Sequence, residues 1–485
     1  MALKDALSDQ GLYRVDAYVD GTWVEGTSRF DVEDPADGST VAAVAELDRP
    51  AISRAIDAAN AALPAWSRRT ARDRSDLLRR WADLMLEHAD DLARILTAEM
   101  GKPLAEARGE IGYGASFIHW FAEEGRRVYG DVVPGHQPDK RILVLKQPIG
   151  VAASITPWNF PNAMLARKVA PALAAGCTFV ARPSELTPLS ALAMAELAHR
   201  AGLPAGVLNV VTSIDASMVG KEFCENGIVR KLSFTGSTRV GRILMAQAAP
   251  QIMKLSLELG GNAPFIVFDD ADLDAAVEGA LVAKFRNAGQ TCVCANRIYA
   301  QAGIHDAFVA RLAERMERLQ VGRGTDEGVE IGPMISDAAH AKVAEHLDDA
   351  LKKGATVVTG GDASALGARF FQPTLIEGAT KDMRLASEET FGPIASVFRF
   401  STEEEVIAAA NDTEFGLAAY FYARDLSRVY RVMEELDYGI VGVNTGLIST
   451  AEAPFGGTKM SGLGREGSKY GIDEYLELKY ACLSV

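Results

Sequence analysis

The chain has 485 residues, of which 48% are hydrophobic and 24% charged, and its formal net charge is −15. A mean hydropathy of +0.03 indicates a globular protein of two or three packed units and argues against long disorder. The acidic balance argues against nucleic acid as a partner, because phosphate binding needs clustered Lys and Arg. No apolar run reaches the roughly 18 residues of a membrane span, so no membrane partner is expected.

The N-terminus and the cysteines bear on the compartment. The first residues lack the apolar segment and the small-residue cleavage site of a signal peptide. Five cysteines are an odd and sparse count that suits a reducing environment rather than a disulfide framework. We therefore predict a cytoplasmic protein.

The region before residue 142 favours helices. Apolar residues recur at spacings of three and four over residues 71–100, which predicts one long amphipathic helix. The stretch 111–130 is expected to be helical as well.

From residue 142 onward, short apolar runs alternate with helical segments, as in a parallel sheet covered on both faces. The predicted helices cover 162–175, 188–202, 238–249, 272–287 and 305–320. The predicted strands contain ILVL, GVAASIT, TFVAR, VLNVV, KLSF, APFIVF, RIYAQ and ATVVTGG. This pattern predicts an α/β fold with two units in tandem, joined near residues 258–264.

Polar residues follow two of the predicted strands. In SITPWNFPNA, Asn159 stands between Pro157 and Pro161, which fix the backbone. A rigid amide of this kind is either a donor to a developing oxyanion or an ordinary turn residue. In VARPSELTP, Glu185 could accept the hydroxyls of a ribose, with Arg182 beside it. Alternatively, Ser184 or Thr187 caps the following helix and Glu185 complements its dipole, and both interpretations can hold together.

The segment LSFTGSTRVG contains a possible phosphate site but lacks the GxGxxG fingerprint. Gly236 and Ser237 follow a strand, and Gly241 opens a helix whose N-terminus could bind a pyrophosphate. The alternative is a plain strand-to-helix connection.

Two further segments carry candidate catalytic groups. In LSLELGGNAP, Glu258 is either a general base near a cleft or a surface carboxylate at a strand end. In FRNAGQTCVCANR, Cys292 and Cys294 are open to four interpretations: a metal site, a buried structural thiol, a nucleophile or a redox pair. A metal site is disfavoured because no histidine lies near in sequence.

Six motifs in fixed order resemble those of the aldehyde dehydrogenase superfamily. They are PWNFP, FTGSTRVG, LELGGNAP, GQTC, EETFGP and PFGGTKMSGLGREG, and they cover residues 157–467. The resemblance implies a Rossmann-like NAD(P)-binding domain, an α/β catalytic domain and a small oligomerisation β-arm. The implied bounds are 1–126 and 148–258 for the NAD-binding domain, 259–440 for the catalytic domain, 127–147 and 476–485 for the arm, and 441–475 for a return to the NAD-binding domain and the active-site entrance.

The resemblance also implies the roles of individual residues. Cys292 would be the nucleophile, Glu258 the base that activates water, and Asn159 the oxyanion donor, with thiohemiacetal and thioester intermediates on the cysteine. Neither a metal nor a flavin is implied. The cofactor would be bound by Thr156, Pro157, Trp158, Arg182, Pro183, Ser184, Glu185, Gly236, Ser237, Leu259, Glu389 and Phe391.

Flanking segments resemble the succinate-semialdehyde dehydrogenase branch of that superfamily, which implies oxidation of succinate semialdehyde to succinate. Arg167, Arg286 and Ser449 match the positions that bind the substrate carboxylate in this branch. Glutarate semialdehyde or another ω-carboxylate aldehyde is the alternative substrate, and a thioesterase or esterase using Cys292 is the alternative activity.

The same branch suggests the remaining expectations. Arg182 and Ser213 stand where the family usually has lysine and glycine, and the negative charge of Glu185 would repel a 2′-phosphate, so NAD is predicted over NADP. Cys294 resembles the partner of a redox switch that joins it to Cys292 in a labile disulfide; the alternative is a packing role. A homo-oligomer, either a dimer or a tetramer, is expected.

Overall fold

The computed structural model describes residues 3–361, 366, 367 and 369–485. Its strands are β1 (Ala17–Val19), β2 (Thr22–Val24), β3 (Ser28–Glu33), β4 (Thr40–Glu46), β5 (Asp131–Val133), β6 (Lys140–Pro148), β7 (Val151–Ile155), β8 (Thr178–Arg182), β9 (Leu208–Val210), β10 (Val229–Thr235), β11 (Lys254–Glu258), β12 (Ala263–Val267), β13 (Ala295–Gln301), β14 (Thr356–Thr359), β15 (Thr374–Glu377), β16 (Ile394–Phe400), β17 (Ala418–Tyr422), β18 (Ile440–Val443), β19 (Gly462–Leu463) and β20 (Leu476–Ser484).

The α-helices lie before, between and after these strands. They are α1 (Arg49–Ser67), α2 (Ala71–Glu87), α3 (Ala89–Met100), α4 (Leu104–Glu124), α5 (Pro161–Ala175), α6 (Pro188–Ala201), α7 (Ala216–Glu225), α8 (Thr238–Ala248), α9 (Leu273–Phe285), α10 (His305–Met316), α11 (Asp337–Lys352), α12 (Arg384–Ser387), α13 (Glu403–Asn411), α14 (Leu426–Glu435) and α15 (Ser468–Asp473). None of the helices in the described part of the chain has both the length and the apolar character needed to cross a membrane.

Two large sheets form the centre of the molecule. The first has the order β19-β11-β10-β7-β8-β9-β1-β2, and its five central strands are parallel. The second has the order β14-β15-β16-β13-β12-β17-β18 and is parallel except for the β14–β15 pair. The chain passes from the first sheet to the second between Glu258 and Ala263. The predicted α/β fold is therefore confirmed.

The sheets also explain the near-continuous apolar runs of the sequence. All residues of β7, β8, β12 and β17 are buried, because helices cover both faces of each sheet. The alternation of strands and helices predicts ILVL in the parallel sheet, and this is wrong: ILVL lies in β6, which pairs antiparallel with β20 and β5. These residues fall within the range 127–147 that the resemblance assigns to the arm. The ILVL side chains are only half-buried, with Leu145 44% exposed, since this three-stranded sheet stands apart from the core.

The prediction of one helix over residues 71–100 was wrong. The helix ends at Glu87, and a second helix begins at Ala89. His88 between them has φ −101° and ψ 20°, outside the helical region. Just after this break, the Asp91 carboxylate accepts the backbone N–H groups of Ser8 and Asp9, at 2.9 and 2.8 Å. This contact with the N-terminal segment joins residues far apart in sequence, so periodicity could not reveal it.

Candidate active site

A tight turn brings Cys292 to the junction of the two sheets. After α9, Asn287 and Ala288 adopt left-handed φ values of 55° and 54°. The Glu106 carboxylate of α4 accepts the backbone N–H of Asn287 at 2.9 Å, which holds the turn in this uncommon conformation. The chain then runs through Gln290 to Cys292, which is half-buried. The backbone of Gly261 packs against the Cys292 carbonyl oxygen, and a larger residue would not fit there, because a Cβ at Gly261 would lie 2.5 Å from that oxygen.

A cavity of about 260 Å³ opens on one side of Cys292, and we call it the cofactor cavity. Its lining includes Cys292, Glu258 and Asn159 together with the predicted cofactor residues Pro157, Trp158, Gly236, Ser237, Leu259, Glu389 and Phe391. The structure thus brings together the three predicted catalytic residues and this part of the predicted cofactor set.

The cofactor cavity has features that fit a nicotinamide dinucleotide. Trp158 and Phe391 form an edge-to-face aromatic pair, with ring centroids 5.6 Å apart. Ser237 caps α8, whose N-terminal N–H groups suit a phosphate. The Glu389 carboxylate accepts the Gly261 N–H at 3.1 Å, and burial raises the pKa of Glu389 to about 7. Aromatic, phosphate-binding and hydroxyl-binding groups therefore share one cavity.

The other predicted cofactor residues do not line this cavity. Thr156, Pro183 and Ser184 follow β7 and β8, at the same edge of the first sheet, and the Thr156 N–H donates to the Arg182 carbonyl. Arg182 Nη2 donates to Glu185 Oε2 at 2.7 Å, and also to a backbone carbonyl at 2.8 Å. The Glu185 side chain is 38% exposed, and its ion pair with Arg182 partly neutralises its charge.

The alternative of a Ser184 or Thr187 cap on α6 is not what the structure contains. Thr187 occupies the N-cap position, but its side chain makes no capping hydrogen bond. Instead, the buried Glu99 carboxylate of α3 accepts the N–H groups of Leu189 and Ser190, at 2.7 and 2.8 Å. A residue nearly ninety positions away caps this helix, which local sequence cannot predict.

On its other side, Cys292 faces a small pocket that we call the arginine pocket. Its walls include the predicted substrate residues Arg167, Arg286 and Ser449, and its open volume is about 10 Å³. The pocket adjoins a cavity of about 270 Å³ that shares Arg286 and Ser449. The structure thus brings the three predicted carboxylate-binding residues together next to Cys292.

The two arginines of this pocket differ in their surroundings. Arg167, on α5, is 1% exposed and forms a buried ion pair with Glu466. Burial is the largest single effect and acts to lower its pKa, but the charges of Glu466 and of other nearby groups such as Glu258 together outweigh burial, and the pKa is raised. Both terminal nitrogens of Arg167 lack a hydrogen-bond partner among the described residues. Arg286 is half-buried and lies over the Phe160 ring, 4.9 Å from its centroid.

A buried network of hydrogen bonds fixes the position of the Asn159 backbone. The Asn159 carbonyl accepts Lys102 Nζ at 2.8 Å and Asn287 Nδ2 at 3.1 Å. Lys102 also donates to Glu110 Oε2 at 2.6 Å. The Asn159 side chain donates one amide hydrogen to the Gln290 carbonyl at 3.0 Å, which leaves the second hydrogen for a ligand oxygen.

Glu258, at the end of β11, has the environment of a base. Both of its carboxylate oxygens are buried without a hydrogen-bond partner in the described part of the chain. Burial and then the nearby charge of Glu466 raise the pKa of Glu258 well above its usual range, although Arg167 acts in the opposite direction. A carboxylate destabilised in this way accepts a proton more readily.

The two cysteines of the opening motif have different environments. Burial raises the pKa of the Cys292 thiol to about 12, while Arg167 acts to lower it. The Cys294 side chain is buried away from both cavities, and its sulfur lies 3.4 Å from Lys284 Nζ. Lys284 also donates to Asn296 at 3.0 Å, so Cys294 belongs to a buried polar cluster under the turn. A disulfide between Cys292 and Cys294 stays a prediction.

Comparison with known proteins is in keeping with this geometry. The profile of the aldehyde dehydrogenase family matches residues 23–481. The chain belongs to this family. It is 62% identical over 481 residues to the succinate-semialdehyde dehydrogenase [NADP(+)] of Escherichia coli (strain K12), covering 99% of this chain and 100% of that protein. It is 61% identical to a glutarate-semialdehyde dehydrogenase of Pseudomonas aeruginosa, covering 98% and 99%.

A solved structure adds a relative with its cofactor. Betaine aldehyde dehydrogenase from Staphylococcus aureus in complex with NAD+ matches this aldehyde dehydrogenase with a TM-score of 0.95 and 35% identity. The match covers 100% of this chain and 98% of that one. The predicted family and fold are therefore confirmed, and the cofactor class is NAD(P).

Sequence reasoning missed several buried charges of this aldehyde dehydrogenase. Lys102, Glu106 and Glu110 recur at a spacing of four around the start of α4 and face the catalytic loops. Residues four positions apart lie on the same face of a helix, so this spacing just after Gly101 was a signal in the sequence for a charged face that turns toward the protein interior. Glu466 lies within a quoted motif, but only the fold shows that it pairs with Arg167 and Lys168.

Proposed function

We propose that this aldehyde dehydrogenase oxidises succinate semialdehyde to succinate with NAD(P). The observation that carries the proposal is the convergence of Arg167, Arg286 and Ser449 on a pocket that adjoins Cys292. Two guanidinium groups suit a planar carboxylate, because each offers a fork of donors. A four-carbon semialdehyde has its carboxylate at one end and its aldehyde at the other. The carboxylate can therefore contact the arginines while the aldehyde lies at the Cys292 sulfur.

The catalytic steps follow from the proposed residue roles. The Cys292 thiol releases its proton to solvent, and the thiolate sulfur adds to the aldehyde carbon. The resulting oxyanion accepts the free amide hydrogen of Asn159 and the Cys292 backbone N–H. Bound NAD(P) would supply the hydride acceptor that converts this adduct to the thioester. Glu258 then removes a proton from the water that hydrolyses the thioester, and its raised pKa suits that step.

The proposal is tested by the kinetics of two aldehydes. Butanal has nearly the shape of succinate semialdehyde but lacks the carboxylate. We expect the wild-type protein to prefer succinate semialdehyde by several hundredfold in kcat/KM, and Arg286→Ala to lose most of that preference. Comparable kcat/KM values for the two aldehydes in the wild type would contradict the proposed substrate. Glutarate semialdehyde belongs in the same series, because one methylene discriminates by only about 10–200-fold.

We further propose NAD as the preferred form of the cofactor. The Glu185 carboxylate supports this preference, since it would repel a 2′-phosphate. Its hydrogen bond to Arg182 weakens the repulsion, so we expect a modest preference. Steady-state kinetics of the wild type and of Glu185→Gln with both cofactors test it: Glu185→Gln should gain activity with NADP. A wild type with the higher kcat/KM for NADP would contradict the proposal.

The predicted domain and assembly roles are proposals as well. The pairing of β19 with β11 supports a return of residues 441–475 to the NAD-binding domain, although β18 extends the second sheet to Val443. The sheet of β20, β6 and β5 exposes apolar side chains, Leu478 at 70% among them, which supports an oligomerisation arm. Light scattering of Leu478→Glu should show a smaller assembly than that of the wild type.

The free cysteines of the chain support a location in the cytoplasm. Cys177, Cys224, Cys292, Cys294 and Cys482 all lack a disulfide partner in the structure. Free thiols of this kind persist in a reducing compartment.

A further inference from the structure

Tyr113 is a wall of the arginine pocket that the resemblance did not assign. It lies on α4 and lines both this pocket and the adjoining cavity of about 270 Å³. Its hydroxyl is buried and close to Arg167, which can donate to its oxygen, but no described residue is placed to accept its hydrogen with good geometry. A buried tyrosine hydroxyl usually finds a partner for its hydrogen, so a hydroxyl without an acceptor in a pocket wall points to a ligand.

The Tyr113 ring is held in a fixed position. It packs edge-to-face against Phe117, one helical turn away, with ring centroids 4.9 Å apart and an interplanar angle of 68°. The Tyr113 backbone carbonyl also accepts the Ser116 hydroxyl at 2.7 Å. A rigid ring directs its hydroxyl without the loss of rotamer freedom that a longer side chain would undergo on binding.

Positive charge surrounds the hydroxyl. Burial raises the pKa of the Tyr113 phenol, while the charges of Arg167 and Arg286 act to lower it. The phenol is therefore a neutral donor at neutral pH, and neither arginine can accept its hydrogen. An acceptor for that hydrogen, near two cations, has to be an oxygen of negative or partly negative character.

Nearby carboxylates of the chain already have partners. Glu110 accepts Lys102 Nζ at 2.6 Å and the Asn162 N–H at 2.9 Å. Glu106 accepts the Asn287 N–H. These bonds fix both carboxylates to the catalytic loops, and Glu466, whose charge also acts on Tyr113, is paired with Arg167 and Lys168. An acceptor from outside the chain therefore suits Tyr113.

We propose that Tyr113 donates its hydroxyl hydrogen to the distal carboxylate of the substrate, as a specificity-determining residue beside Arg167 and Arg286. This inference rests on the proposed function, because it needs a substrate with a carboxylate at that end. It accounts for the buried hydroxyl and for the unpartnered terminal nitrogens of Arg167 with one ligand group. The hydroxyl and the two guanidinium groups together favour a substrate whose distal end is a planar carboxylate over one whose distal end is uncharged.

The test compares Tyr113→Phe with the wild type, using succinate semialdehyde and butanal. We expect kcat/KM for succinate semialdehyde to fall about 10–100-fold, mostly through KM, because the lost hydrogen bond is to a charged group. For butanal, kcat/KM should change less than about twofold, because the ring and its packing remain. Calorimetric binding of succinate to the intact enzyme should weaken by a similar factor. Tyr430→Phe, at an exposed tyrosine, is the matched control and should behave as the wild type.

The outcomes separate this inference from the proposed function. A wild type that prefers succinate semialdehyde, together with a Tyr113→Phe variant that keeps the full preference, would overturn the role of Tyr113 alone. An equal loss for both aldehydes would also overturn it, since it would indicate a structural role. A wild type without any preference would contradict the proposed function, and the inference would fail with it.

Discussion

The cofactor cavity and the arginine pocket meet at Cys292 but differ in construction. The first has a volume of about 260 Å³, and its lining combines backbone, aromatic rings and one carboxylate beside the catalytic groups. The second has about 10 Å³ of open space between packed side chains, two of them arginines. A large ligand with several chemical groups suits the first, and the end of a small anion suits the second. The difference implies that substitutions on one side should leave binding on the other side unchanged.

Arg167 is the exception to this independence of the two sides. Its ion-pair partner Glu466 also acts on the pKa of the catalytic residue Glu258. We expect Arg167→Leu to lower kcat/KM for succinate semialdehyde by about 10²–10³-fold and to lower Tm. Breaking a buried ion pair costs about 3–5 kcal/mol when the remaining charge is left uncompensated. Glu466 keeps its ion pair with Lys168, so the loss of stability should lie at or below the lower end of that range. Steady-state kinetics and thermal unfolding measure both effects.

Arg286→Leu is the matched control for that change. It removes the second arginine of the pocket, but no ion pair of Arg286 exists in the described part of the chain. Tm should therefore stay near the wild-type value, while kcat/KM for the semialdehyde falls. If Arg167→Leu and Arg286→Leu lowered Tm equally, the ion pair with Glu466 would not give Arg167 a larger contribution to stability than Arg286. Arg167→Lys, which keeps the charge, should retain most of the stability.

Alkylation of Cys292 tests the electrostatics at the junction. Its pKa is raised to about 12, so the thiol is protonated at neutral pH and the thiolate fraction grows with pH. We expect the rate of reaction with iodoacetamide to rise about tenfold per pH unit, or roughly 100-fold from pH 7 to 9. Mass spectrometry resolves the peptides, with exposed Cys482 as an internal reference. A rate that levels off below pH 8 would contradict the raised pKa.

Glu389→Gln tests the cofactor side. The carboxylate lines the cofactor cavity and is absent from the walls of the arginine pocket. We expect about a tenfold loss of kcat/KM for the cofactor, as for removal of a hydrogen bond to a charged group. The ratio of kcat/KM values for succinate semialdehyde and butanal should stay unchanged. A changed ratio would show that the two cavities are coupled.

Ser449→Ala should have the smallest effect. The hydroxyl lies at the half-buried edge of the arginine pocket, where water can replace it. We expect kcat/KM for succinate semialdehyde to fall about three- to tenfold, less than for a buried donor to the same carboxylate, because water takes over the lost hydrogen bond. Kinetics with butanal provide the control, because a substrate without a carboxylate should be unaffected.

The sequence predicted those parts of the molecule that depend on local pattern. Strands such as β7 and β12 are apolar runs between glycine or proline turns, so their position follows from composition. Periodicity alone could not bring Asn159, Glu258 and Cys292 together, because they come from segments more than thirty residues apart. The resemblance to a family linked them, since ordered motifs carry information about the fold.

Contacts between distant segments were beyond reach of the sequence. Two examples are the hydrogen bonds by which Glu99 caps α6 and the ion pair of Arg167 with Glu466, since the distance in sequence between the partners gives no sign of contact. The helix break at His88 was likewise not visible in the periodicity. Buried charges such as Lys102 look like surface residues until a partner such as Glu110 is placed. These residues determine the electrostatics of the site, so its chemistry needed the structure.

Trapping of the acyl-enzyme shows directly whether Cys292 reacts with a substrate in the arginine pocket while the cofactor cavity is occupied. Glu258→Gln should retain thioester formation and lose hydrolysis, so the protein mixed with succinate semialdehyde and NAD is quenched and digested for mass spectrometry. We expect a succinyl adduct on the Cys292 peptide, and only when aldehyde and cofactor are both present. An adduct that forms without the cofactor, or on Cys294 rather than Cys292, would contradict this role of Cys292.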